Sequence, residues 1–393
     1  MSDTPTIETT RIRVSTLELF FDLVFVFTIT QLTATLYEHR DLATLGKVVL
    51  ILAVVWWMYA GYAWLTNAIA PNSTTRRTLL LTGMAGFLVM ALAIPHAFGR
   101  DGWLFGVSYL VVNLVHAALF QHAGSGARRA MQVTAPLNIV AALLVLAGGF
   151  LPGPVRILCW LAAPLVQIAA GYLHRGGTHT LAAGHLAERH GLVVIVAIGE
   201  SIISIGVGFH GVELDAGAIL VAVLALCIAY YLWWFYFAGD DERAEHVLAR
   251  TPAGQQSRLA LHAYGFAHLP MLLGIVVLAV GIHRVVGHAF ESLSWADASA
   301  LAGGVALYLV GHAVFLRLFG LRGVPYRLAA AAVVLATIPL GHVTAIAQLA
   351  AIPIIMVAAA IAEDLPEVRR TGRTEISSFG RTAAPDGHGA DSE

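Results

Sequence analysis

The sequence predicts an all-α polytopic membrane protein with about twelve transmembrane helices, and three observations predict it. Mean hydropathy is +0.76 over 393 residues. Only 12% of residues are charged. The apolar residues gather into runs of roughly 20, the length that crosses a bilayer hydrocarbon core. Such composition belongs to multi-span membrane proteins rather than to water-soluble domains.

Taken in order, the predicted spans lie near 17–36, 45–70, 78–98, 103–122, 132–151, 153–173, 190–208, 214–238, 259–282, 296–319, 325–341 and 344–362. The first carries Glu18-Leu-Phe-Phe-Asp22-Leu-Val-Phe-Val-Phe-Thr-Ile-Thr-Gln31, two acids and an amide in an otherwise apolar stretch. The second holds Trp56-Trp57-Met-Tyr59, and the eighth Tyr230-Tyr231-Leu-Trp233-Trp234-Phe235-Tyr236. The seventh follows Glu188-Arg189-His190-Gly191 and contains Gly199-Glu200-Ser201. The last two spans share one apolar run, divided at Pro339–Gly341, with eleven spans as the rival count.

Charge placement fixes an expected orientation. With the amino terminus in the cytoplasm, 18 of the 23 Lys and Arg residues fall on the inner side. Only Arg40, Lys47, Arg100, Arg156 and Arg284 fall outside. The positive-inside rule expects that asymmetry, with both termini cytoplasmic. No cleavable signal peptide is apparent, because the first sixteen residues are polar and no small-residue cleavage pattern follows. Cys159 and Cys227 both fall inside spans, which leaves neither a disulfide framework nor a cysteine metal motif.

The expected organisation is a cytoplasmic segment 1–16, a six-helix half 17–173, a cytoplasmic linker 174–189, a second half 190–362 and a disordered tail 363–393. Leu161-Ala-Ala-Pro164 in the sixth span resembles Leu349-Ala-Ala-Ile-Pro353 in the twelfth, and Tyr109-Leu-Val in the fourth matches Tyr308-Leu-Val in the tenth. Duplicated six-span halves point the same way through the membrane and place sites at their interface. The loop 239–258 reads as exposed, its Asp240-Asp241-Glu242 run as a solvated helix end.

Ionisable groups inside a span are costly and mark function. Glu18 and Asp22 share one face of the first span, with Asp22 roughly 7–8 Å inside the boundary. Thr28, Thr30 and Thr33 read as helix-to-helix hydrogen bonders, and Gln31 adds to this polar outer half. Arg189 and Glu200 share a face of the seventh span but stand ~16 Å apart along it, too far to pair. Glu200 therefore needs a partner from another span, a water-filled cavity, or a bound proton. Ser201 and its small neighbours allow close approach. Histidines such as His96, His116, His262, His268, His312 and His342 lack metal-ligand spacing, so no metal is expected and helix bonding or proton relay is. Trp56, Trp57, Trp233 and Trp234 are candidate cavity-lining rings, against the commoner reading as an interfacial belt.

The motifs Glu18-Leu-Phe-Phe-Asp22-Leu-Val-Phe-Val-Phe, Glu188-Arg189-His190-Gly191-Leu and Gly199-Glu200-Ser201 resemble those of the bacterial low-temperature-requirement A family. The resemblance covers roughly 15–362 and implies a multi-pass protein of the bacterial inner membrane, linked by name to growth in the cold, with no substrate attached.

Three functions compete. A secondary transporter or ion-conducting protein would use Asp22 and Glu200 along its path, with Glu18, Glu188, Arg189, His190, Ser201 and Gln31 beside it. An intramembrane enzyme would use Glu200 as an acid on a lipid or prenylated substrate, with tryptophan faces stabilising a cation. A non-catalytic sensor or scaffold would bury its polar groups between helices. The expected partners are the lipid bilayer and an unidentified ion, proton, small molecule or lipid, with room for an oligomer. No cofactor motif, phosphate loop or nucleic-acid patch is present.

Overall fold

A computed structural model describes residues 14–39, 41–69, 72–173, 181–211 and 213–371. The described residues form helices and connecting turns with no strand. The first half comprises α1 (Thr16–Glu38), α2 (Leu42–Ala68), α3 (Thr74–Ala93), α4 (Gly102–Phe120), α5 (Ser125–Phe150) and α6 (Gly153–Leu173). The second comprises α7 (Ala183–Gly208), α8 (Ala216–Phe237), short α9 (Asp240–Arg250) and α10 (Ala253–Ala260), then α11 (His268–Val285), α12 (Trp295–Phe319), α13 (Val324–Leu335), α14 (Ile338–Val343) and α15 (Ala345–Thr371).

Side chains able to accept from exposed amides start several of these helices. Ser15 and Glu18 form a reciprocal capping box at α1. Asp41 accepts from the Thr44 amide at α2, a bond that holds its carboxyl below the usual range. Ser73, Asp215 and Ser294 cap α3, α8 and α12 in the same way.

Eleven segments are long and apolar enough to cross a membrane, and α5 adds a shorter apolar stretch, Thr134–Phe150. The final apolar run divides into two segments as expected, but not at Pro339–Gly341, which lie inside α14. Val324–Val343 is one crossing and Ala345–Leu365 the next, separated at Thr344, whose backbone is extended. Exposed Leu23, Leu158, Leu165 and Ile354 form an apolar outer surface suited to lipid rather than water.

Three boundaries differ from expectation. The segment 183–189, read as linker, is already helical, so Glu188 and Arg189 lie within α7. The segment 239–258 is largely helix, and Asp240 is buried rather than solvated. Residues 363–371 continue α15; 372–393 and 1–13 lie outside the described residues.

Helix packing follows a repeated plan. In the first half α3 packs on α4, α4 on α5, α5 on α6, α1 on α2 and α3, and α2 on α6. In the second, α11 packs on α12, α12 on α13, α13 and α14 on α15, α7 on α8 and α11, and α8 on α15. Gly274 and Gly304 let α11 and α12 meet backbone to backbone. Arg156 of α6 gathers five carbonyls, those of Ala97, Gly99, Gly148, Gly149 and Leu151, at the α3–α6 end of the first half.

Candidate functional site: the seam between α1 and α7

The helices α1 and α7 touch directly and run parallel, as their side-chain pairs show. His185 meets Glu18, Arg189 meets Asp22, and Glu200 meets Thr30, in ascending order on both helices. Along α1 the seam spans eight residues from Asp22 to Thr30, or ~12 Å.

At its lower end the seam carries a buried ion pair. Arg189 Nη1 donates to Asp22 Oδ2 at 2.9 Å and to the Glu18 carbonyl at 2.7 Å. Tyr59 of α2 donates its hydroxyl to Asp22 Oδ1 at 2.7 Å. The guanidinium also stands 5.8 Å from the Phe21 ring and 5.7 Å from the Tyr59 ring. Asp22 and Arg189 are each about 1% exposed. Two charges so far from water are tolerated because each meets the other with additional hydrogen bonds. Glu18 serves twice: its Oε2 completes the Ser15 cap, and its Oε1 accepts from His185 Nε2 at 2.9 Å.

At the upper end Glu200 is 2% exposed and turned into protein. Thr30 Oγ1 lies 2.6 Å from its Oε2, and Ser204 Oγ 3.4 Å from its Oε1. Thr30 is thus a helix-to-helix bonder through Glu200, whereas Thr28 and Thr33, expected to bond in the same way, are buried with no side-chain hydrogen bond. The expected separation of Arg189 from Glu200 is observed, since Arg189 is committed to Asp22.

Beside the charged end lies an aromatic and imidazole cluster. His190 donates from Nδ1 to the Leu186 carbonyl at 2.8 Å, which leaves Nε2 as an acceptor with no partner. Its ring touches Trp56, Tyr264 and His268, with centroids 5.9, 4.7 and 5.3 Å away. His268 accepts from the Tyr236 hydroxyl at 3.0 Å. A π-helical turn, Leu261–Phe266, precedes α11, and its Gly265 carbonyl accepts from Trp56 Nε1 at 2.6 Å. Single π turns of this kind recur at functional sites.

The remaining sequence-named residues scatter. Ser201 is buried without a partner, about 100° round α7 from Glu200 and on the side of His190. Glu188 is exposed and accepts from the Val14 amide at 3.3 Å. Gln31 lies half a turn round α1 from Asp22, away from the seam. Trp57 is half-buried beside Phe266. Trp233 and Trp234 are half-buried on α8 beside Tyr230.

Sequence reasoning missed His185, Tyr59 as the Asp22 partner, and a second buried charge cluster. In that cluster Asp240 accepts from Arg243 at 2.7 Å and stands 3.6 Å from both Arg327 and His312, while Arg327 also bonds Glu363. His185 was findable, since it precedes Arg189 by four residues and shares its helix face. The Asp240 cluster joins α9, α12, α13 and α15, and no local pattern announces it.

Known proteins bear on this arrangement. The family described as bacterial low temperature requirement A protein matches residues 13–361. The chain is also 31% identical over 324 residues to an uncharacterized protein of Rhizobium meliloti (strain 1021), covering 79% of this chain and 78% of that one.

Proposed function

The chain belongs to the bacterial low temperature requirement A family of membrane proteins, and from that premise we propose that it is a secondary transporter or ion-conducting protein using buried carboxylates. The observation that carries this reading is the α1–α7 seam. These are the first helices of two groups, α1–α6 and α7–α15, with matching packing plans, and parallel repeats in transporters hold their sites where the halves meet. The seam is lined by Asp22, Arg189, Thr30 and Glu200, groups that are expensive to keep at membrane depth. The Lys and Arg asymmetry supports an orientation with the Glu18 end of the seam toward the cytoplasm, across a bacterial inner membrane.

Acid catalysis on a lipid is less well supported. It needs Glu200 and tryptophan rings around one pocket, yet Trp56 packs on His190, ten residues or ~15 Å along α7 from Glu200.

The test is reconstitution of the purified protein into vesicles with a panel of protons, sodium, potassium and small organic solutes. At least one member of the panel should move, and Glu200→Gln should abolish that flux while the protein remains folded and monodisperse. Absence of flux across the panel, or flux unchanged in the variant, refutes the reading.

A further inference from the structure

Glu200 differs from the other buried carboxylates among the described residues in what faces it. Glu18 has His185, Asp22 has Arg189, and Asp240 has Arg243 with Arg327 nearby. Asp297 sits in the first turn of α12, where its amide and side chain bond Ser294. Glu200 has two hydroxyls and no cation.

The helices packed on α7 bring no charge to it. On α1, Asp22 is two turns back and committed to Arg189. On α2, Lys47 stands over the Phe98 ring. On α8 the titratable groups are Cys227, Tyr230, Tyr231 and Tyr236, none bonded to Glu200, and Tyr236 is bonded to His268. On α11, His268 lies beside His190, while His283 and Arg284 are held at Tyr37. The charges of α9 belong to the opposite end of α7, where Glu245 lies beside Gly184. A lone carboxylate in such a place must carry its own compensating positive charge, either a proton or a small metal cation.

The oxygen geometry favours the proton. Thr30 Oγ1 is 2.6 Å from Glu200 Oε2 and 3.3 Å from the Val26 carbonyl. Oxygens of separate side chains that share a hard cation at roughly 2.1–2.5 Å stand about 3 Å or more apart. A separation of 2.6 Å is that of two oxygens joined by one hydrogen. The hydroxyl has a single hydrogen. It points to Glu200 Oε2 when the carboxyl is ionised, and it can turn to the Val26 carbonyl when a protonated carboxyl supplies the hydrogen between Oγ1 and Oε2, so the pair is satisfied in both states.

We propose that Glu200 is a proton-binding site: once protonated, its Oε2–H donates to Thr30 while Thr30 donates to the Val26 carbonyl and Ser204 donates to Oε1. On release the proton leaves to water, and the Thr30 hydrogen swings from Val26 to Oε2, so the carboxylate keeps two donors. The transport reading supplies the use of this proton, making it the coupling or conducted ion, but the occupancy of the site stands independently of it.

The experiment is labelling of the full-length purified protein with a hydrophobic carbodiimide. This reagent is consumed by a carboxylic acid, whose proton passes to a carbodiimide nitrogen as the carboxyl oxygen bonds to the central carbon, and the adduct rearranges to a stable N-acylurea. Peptide mass spectrometry should place the adduct on Glu200 at neutral pH, with labelling lost as the medium is made alkaline and unaffected by sodium or potassium. Thr30→Val should shift the pH at which labelling is lost, and Glu200→Gln should remove the adduct. The infrared carboxylic C=O band should likewise be present in the wild type and missing in Glu200→Gln. Suppression of labelling by sodium or potassium at constant pH overturns the proposal in favour of a metal-cation site. Absence of both the adduct and the band at neutral and mildly acidic pH overturns it as well. Both signals are read on protein at rest, so a failure of flux leaves them standing and their failure leaves the flux result standing.

Discussion

Removing either member of the Asp22–Arg189 pair should cost far more than a surface ion pair does, because the survivor has nowhere to reach water. Both side chains are about 1–2% exposed, and they meet at 2.9 Å. Breaking such a pair by deleting one partner costs about 3–5 kcal/mol, mostly from the stranded charge. Asp22→Asn strands the guanidinium, although the Glu18 carbonyl still accepts one of its hydrogens at 2.7 Å. Arg189→Gln strands the carboxylate, although Tyr59 still donates to it. We therefore expect each single variant to lose about 3 kcal/mol. The double variant strands nothing, so its loss should fall short of the summed singles by at least ~1 kcal/mol. Equilibrium unfolding by sodium dodecyl sulfate in mixed micelles, followed by tryptophan fluorescence, measures all three. Additive losses, with a coupling under ~0.5 kcal/mol, would mean that the two groups are independently solvated and that the buried-pair argument is wrong.

Two further outcomes follow from packing. Arg156→Lys keeps the charge but loses the planar fork that serves five carbonyls, so the same unfolding assay should show a loss of about 2 kcal/mol or more, whereas a purely electrostatic role predicts almost none. Gly304→Val places a branched side chain against the α11 backbone at Leu278 and Gly274, and should destabilise by about 1–3 kcal/mol or prevent folding; an unchanged unfolding midpoint would refute the close crossing.

Much of the architecture is legible in local pattern. Length and hydropathy of each run determine a spanning helix, because a bilayer forces every backbone polar group to bond within its own segment. The last run divides at Thr344, whose backbone is extended, just past Pro339 and Gly341, which lie inside α14. Asp22, Arg189 and Glu200 stand out for the same reason, being ionisable where solvent is missing. What the chain does not announce is who answers each charge. Thr30 lies 170 positions from Glu200, and Asp22 lies 167 from Arg189. Asp240 reads as surface charge because its neighbours in sequence are polar, yet Arg327 and Glu363 arrive from α13 and α15 to bury it.

The amino-acid sequence by itself determined that this is a bundle of membrane-crossing helices and which of them carry ionisable groups, since both are settled within a single helix. Only the tertiary structure decided that α1 and α7 lie side by side in parallel. That contact gives Asp22 a cation and gives Glu200 none, because compensation of a charge out of water depends on which helix is brought within a few ångströms of it.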